Sequence, residues 1–151
     1  GPREIYTAMV RREGFRRAMT EAGLEVSESR MICGDYTIRG GAKAIQRLHR
    51  EEPQVTAVLA SNYEMTLGAM IEINESGIRV PEDLSLIGFD NLEFARASAP
   101  RLGIMLQPTR QIAREAVSLL LKRLSGDTET PTQTVVLPTE YIEGKSVRKI
   151  G

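Results

Sequence analysis

Three short apolar runs in this sequence each lead into polar residues. Arg30–Cys33 is followed, past Gly34, by Asp35 and Tyr36; Val55–Ala60 by Ser61 and Asn62; and Leu84–Phe89 by Asp90 and Asn91. Carboxylates accept hydrogen bonds from hydroxyl groups, a carboxamide both donates and accepts, and a phenol offers a flat apolar face. Together such groups suit a small polar ligand. Taken singly, Asp35, Ser61 and Asp90 fit equally well as caps of helices or turns. Their recurrence at three run ends is what points to a site. Catalytic patterns are missing beside them: the sequence has no Gly-x-Ser-x-Gly elbow, no phosphate loop ending in Gly-Lys-Ser/Thr and no Gly-x-Gly-x-x-Gly turn. The one histidine, His49, has no Ser or Cys partner nearby in sequence. Asp35 and Asp90 could face each other as a glycosidase pair, but nothing in their spacing favours it. Binding without turnover is the expectation, with no catalytic residue and no cofactor.

The elements that must position these residues alternate. Ile5, Ala8, Met9, Phe15, Ala18, Met19 and Ala22 recur at helical steps from Glu4 to Ala22, before Gly23. A strand is expected over Arg30–Cys33, a helix over Ile38–Arg50, and a strand over Val55–Ala60. Ser61 and Asn62 then cap a helix carrying Met65, Ala69, Met70 and Ile73, which Gly77 ends. Leu84–Phe89 and Leu102–Leu106 read as further strands, Thr109–Leu124 as a strong helix, and Thr134–Ile142 as one or two strands broken at Pro138. This order predicts an α/β fold with a doubly wound, mostly parallel sheet over residues 1–106. Ligands of such sheets bind beyond the carboxyl ends of the strands, where the three polar pairs fall.

Composition narrows the classes. The chain has 151 residues, 41% of them hydrophobic, with 20 Lys+Arg against 20 Asp+Glu. That is enough for one domain and too apolar for disorder. No uncharged run approaches the roughly 20 residues of a membrane span, so no membrane partner is expected. Balanced charge argues against a phosphate-binding surface on these residues. One Cys and one His leave no disulfide framework and too few ligands for a zinc site. Cys33 is expected in the core and His49 in solvent. No basic stretch followed by an apolar run opens the chain, which predicts a cytoplasmic location.

The run Val80-Pro81-Glu82-Asp83-Leu84-Ser85-Leu86-Ile87-Gly88-Phe89-Asp90-Asn91 resembles the signature of the lac repressor (LacI/GalR) family of bacterial transcription regulators. The similarity extends over essentially the whole chain, through Gly14-Phe15, Ala22-Gly23, Gly34-Asp35-Tyr36, Thr56–Asn62, Leu67-Gly68-Ala69, Pro100–Pro108 and Val136–Glu140. It implies the C-terminal lobe of a sensor shaped like periplasmic sugar-binding proteins, whose two lobes close on an effector. A homodimer then presents its DNA-binding heads differently to operator DNA. Carried over by position, Arg11 and Asp90 match effector-contacting residues, Asn62 a further contact, Tyr36 an aromatic platform, Thr7 a small polar contact, and Gln107 a residue near the hinge that can touch the ligand. Arg11 also fits an ordinary surface residue of the first helix. A sugar is the effector class the resemblance favours; a periplasmic-type sugar-binding protein serving a transporter is the alternative. The chain departs from the family pattern at Tyr63, at Leu102-Gly103-Ile104-Met105 and at Gly144-Lys145.

The resemblance also divides the chain. Residues 1–106 correspond to the C-terminal lobe, 107–126 to a crossing segment with a helix that packs on the N-terminal lobe, and 127–151 to return strands. Because the first helix starts so near Gly1, the lobe is expected to be incomplete, lacking its first strand, and the operator-binding domain to lie outside these residues.

Overall fold

A computed structural model describes residues 1–126, 129 and 131–149. Strands β1 (Ala57–Leu59), β2 (Ser85–Phe89), β3 (Gly103–Leu106) and β4 (Glu140–Ile142) form one sheet in that order. The first three are parallel neighbours; β4 runs antiparallel to β3, with Ile104 opposite Ile142. The helices are α1 (Tyr6–Glu21), α2 (Ile38–Glu51), α3 (Tyr63–Glu75), α4 (Leu92–Ala97) and α5 (Thr109–Leu124), with α3 and α4 making the crossovers between parallel strands. The alternating α/β order and mostly parallel sheet are those expected from the sequence.

Side chains alternate across a strand, so Leu86 and Ile104, both fully buried, face the helices. They join Ile45 of α2, Ala69, Met70 and Ile73 of α3, Ala95 of α4, and Leu84 and Leu102 in one core. Helices α2 and α3 pack against each other at backbone distance. A methyl group at Gly68 would overlap the Ile38 carbonyl, and one at Gly41 would overlap the backbone of Met65.

Two buried hydroxyls tie the sheet to its surroundings. Thr66 of α3, 1% exposed, accepts from the Phe89 amide at 3.1 Å and donates to the Asn62 carbonyl at 2.7 Å. Ser146 lies beside the starts of β2 and β3: its hydroxyl donates to Leu86 O and accepts from Gly103 N at 2.9 Å, while its carbonyl accepts from Leu86 N at 2.8 Å. The segment after β4 thus satisfies groups that the short strands leave open.

Several expectations are corrected. Arg30–Cys33 is not a strand: Glu28–Arg30 forms a 3-10 turn, and the chain just beyond it has no ladder partner among the described residues. Arg30 instead bonds Glu52. An apolar run becomes a strand only when a neighbouring strand takes up its backbone groups. For the same reason Cys33 is exposed instead of buried in the core. The run from Thr134 to Pro138 stays irregular, and only Glu140–Ile142 pairs. Helix α1 buries only Ala8 of its apolar stripe, leaving Ile5, Met9 and Val10 exposed. Helix α4 was not expected; Asn91 starts it by accepting from the Phe94 amide at 2.9 Å. Residues 127, 128 and 130, where return strands were expected to begin, and 150–151 lie outside the described residues.

Gly68→Ala should lower unfolding free energy by about 2–3 kcal/mol, because two helix backbones must move apart to admit the methyl group. Thr66→Val should cost about 1–3 kcal/mol by stranding the Phe89 amide, while Thr66→Ser keeps the hydroxyl and most of the stability. Urea unfolding followed by circular dichroism measures both; equal stability of the Val and Ser variants would refute the hydroxyl's role.

Candidate functional site

The carboxyl ends of β1, β2 and β3 lead into a common rim, and each loop there is fixed by local bonds. At the end of β1, Asn62 caps α3: its Oδ1 accepts from the Met65 amide at 3.2 Å. Its Nδ2 donates to the Tyr36 carbonyl at 3.3 Å, joining this loop to the one before α2. In that loop Asp35 accepts from the Thr37 amide at 3.0 Å and from the Thr37 hydroxyl at 2.7 Å. These two bonds hold the Asp35 carboxyl below the usual carboxylate range. Thr37 in turn caps α2. Asp35 is therefore engaged as a turn cap, the plainer of the two roles open to it.

Among the described residues, three non-glycine residues adopt left-handed backbone angles, and all three sit in rim loops: Tyr36 at φ 63°, Asp90 at φ 58° and Asn91 at φ 53°. Such angles cost roughly 1 kcal/mol or more per residue and persist where surrounding contacts impose them. For Asn91 the compensation is its cap on α4. The turn at Asp90 is fastened by its own amide, which donates to the Met105 carbonyl at 2.8 Å.

At the centre stands Arg11, carried by α1 and half-buried. Its Nη1 donates to the Ser61 carbonyl at 2.6 Å and its Nη2 to Gln107 Oε1 at 3.3 Å, and its guanidinium lies over the Phe89 ring with Cζ 4.1 Å from the centroid. Phe89 is available because strand alternation turns it away from the helix-covered core, toward α1. Gln107, just past β3, donates from Nε2 to Asp90 Oδ2 at 2.8 Å and from its backbone amide to Oδ1 at 3.4 Å. A guanidinium from α1, a carboxamide from the loop after β3 and a carboxylate from the loop after β2 thus form a chain. One positive and one negative charge face each other through a neutral bridge, so this centre is electrically balanced.

All six residues expected at the site lie on this rim. Arg11, Gln107 and Asp90 interlock directly. Thr7 and Tyr36 pair through their hydroxyls at 3.5 Å on the exposed side, and Asn62 meets Tyr36 through its backbone. Sequence reasoning missed the Ser61 carbonyl, the Phe89 platform and the Thr66 hydroxyl. Only Phe89 had a signal: an aromatic residue at the last, outward-alternating position of β2. A groove beside Asp90 is lined by Tyr63, Asn91, Leu92, Leu106 and Thr109. Tyr63 is braced there edge-to-face on Phe94, with ring centroids 5.7 Å apart.

Residues 1–147 match the family profile described as Periplasmic binding protein-like domain. The chain is 37% identical over 147 residues to the HTH-type transcriptional repressor PurR of Escherichia coli, covering 97% of this chain and 43% of that protein. It therefore spans less than half the length of the curated relatives it matches. Among solved structures, the transcriptional regulator CelR in complex with cellobiose superposes with a TM-score of 0.88 at 34% identity, covering 97% of this chain and 44% of that one. A LacI family transcriptional regulator from Enterococcus faecalis with bound ribose superposes with a TM-score of 0.81 at 27% identity, covering 97% and 51%. These named relatives are transcription regulators, not enzymes. Among the described residues no helix is long and apolar enough to cross a membrane. The chain belongs to the periplasmic-binding-protein-like domain family and is homologous to the effector-binding domain of LacI-family transcription regulators.

Proposed function

We propose that these residues are the effector-sensing part of a cytoplasmic LacI-type transcription regulator, binding a small hydroxylated metabolite, with sugars as the class. The single observation that carries this reading is the chain Arg11–Gln107–Asp90, which links helix α1 to the ends of β3 and β2. Arg11 supplies donors and Asp90 acceptors of the kind that hydroxyl groups use, with Tyr36 beside them as a flat face. The complexes of CelR with cellobiose and of the Enterococcus faecalis regulator with ribose support a sugar. In this reading the effector favours a closed arrangement of two lobes, and closure alters how a homodimer presents separate N-terminal helix-turn-helix heads to operator DNA.

Residues 1–106 are the C-terminal lobe, 107–126 the crossing segment with its helix, and 127–151 the return. Helix α5 supports this division, since it buries no residue and leaves Ile112, Val117, Leu120, Leu121 and Leu124 exposed, a face suited to another lobe. The alternative, a periplasmic-type sugar-binding protein for a transporter, shares the fold and the pocket. The regulator reading is preferred because the relatives named above are regulators.

Calorimetry of the full-length protein with cellobiose, ribose and glucose tests the reading. A saturating isotherm with one of the sugars is expected; continuing heat from turnover would indicate an enzyme instead. Arg11→Ala and Asp90→Ala should each weaken that binding about 100-fold, since each removes charge-assisted hydrogen bonds. Their thermal midpoints should fall by only a few degrees, because neither side chain belongs to the apolar core. Unchanged affinity in both variants would place the pocket elsewhere. Sedimentation of the full-length protein should give a dimer, and a secretory leader in place of the helix-turn-helix would favour the transporter reading.

A further inference from the structure

Resting on that reading of the site, we infer that Gln107 is an internal stand-in for the effector: its carboxamide occupies the place between Arg11 and Asp90, and the effector binds by displacing it. The bonding pattern carries the argument. Arg11 can only donate and an ionised Asp90 can only accept. Whatever bridges them must accept from one and donate to the other. Gln107 does both with one group, through Oε1 toward Arg11 at 3.3 Å and Nε2 toward Asp90 at 2.8 Å. Its backbone amide also reaches the other Asp90 oxygen at 3.4 Å. The second terminal nitrogen of Arg11 is taken by the Ser61 carbonyl. The main polar groups of the site are therefore engaged with one another.

The same pattern defines what can replace Gln107. An uncharged ligand group with an adjacent donor and acceptor reproduces both bonds, whether a vicinal diol or a cyclic amide. A phosphate ester, which offers acceptors only, would face the Asp90 carboxylate without a proton to give. An ammonium ion has no acceptor for Arg11. Selection for neutral ligands follows from the pairing itself.

Gln107 also has the right address for signalling. It follows Leu106, the last residue of β3, and precedes Pro108 and helix α5. Displacing its side chain unfastens the segment that leaves this lobe, so occupancy of the site and the position of α5 become linked. The cost of opening the bridge is subtracted from the effector's intrinsic affinity, as for any ligand that selects a less populated state.

Two measurements on the full-length protein test this. In the sugar-free wild type, the Gln107 side-chain amide protons should be shifted from free-glutamine positions and exchange slowly with solvent by NMR, and saturation with the bound probe should return them to solvent-like behaviour. In Gln107→Met, which keeps the length and loses both bridging bonds of the side chain, affinity should rise about 3- to 10-fold for whichever of cellobiose, ribose or hypoxanthine the wild type binds. The diol and amide sources are distinguished by which probe binds, and ribose 5-phosphate should bind more weakly than ribose. A Gln107 amide that is solvent-like without ligand overturns the bridge. Equal or weaker binding by Gln107→Met makes Gln107 an ordinary ligand contact and overturns the stand-in, leaving the proposed function intact. Binding of no probe to either protein overturns both. Should Gln107→Met fail to fold, the wild-type amide measurement still decides.

Discussion

The hydroxyl of Thr66 lies beneath the rim and joins the two loops from which the rest of the site is built. It donates to Asn62 O, at the start of α3, and accepts from the Phe89 amide, at the end of β2. The residue is almost completely buried, so water does not compete for either bond and the two loops are held to each other. From the first loop follow the Asn62 cap, its bond to Tyr36 and the Ser61 carbonyl. From the second follow the Phe89 ring and the Asp90 carboxylate. Arg11 then closes the structure from above, bonding one loop and stacking on the aromatic ring of the other. Without Thr66 beneath, Arg11 would bridge two loops free to shift.

The charges at this site are economical. Arg11 is half-buried, a position that disfavours a cation unless its donors are used and its charge is matched. Two carbonyl-type acceptors use its donors, and the Phe89 ring supplies the electron-rich face that a guanidinium prefers. The balancing carboxylate is held at one remove, through Gln107. Direct ion pairing would leave the two groups in contact and closed to a ligand. A neutral amide between them keeps the space that a neutral ligand group needs. The left-handed backbone at Asp90 and Asn91 is part of the same construction, since the sharp turn after β2 points the carboxylate at Gln107 while Asn91 begins α4.

Much of the fold was legible because it depends on local patterns. The helices α2, α3 and α5 follow from apolar spacing, with a cap at Asn62 for α3, and β2 from a continuous apolar run bounded by polar residues. The failures share a physical cause. Arg30–Cys33 has a strand's composition but no neighbour to pair with, and Cys33 is left in solvent with it. The stripe of α1 has helical spacing but little opposite it to pack on. Helix α4 is six residues long, too short for periodicity to reveal. The candidate site was legible as a set of positions, since strand ends of a parallel sheet converge by geometry and the family resemblance added Thr7, Arg11 and Gln107.

The sequence by itself determined the longer helices, the polar residues that follow β1 and β2, and which family's pattern they follow, because these rest on interactions within a few residues of each other. Only the tertiary structure decided which side chains meet. Arg11 and Gln107 stand 96 positions apart, and Gln107 and Asp90 stand 17 apart on successive strand ends. Their contact exists because three parallel strands stop at the same level and Thr66 fixes the spacing of their loops. Hydrogen bonds of that kind depend on chain closure, which no local spacing encodes.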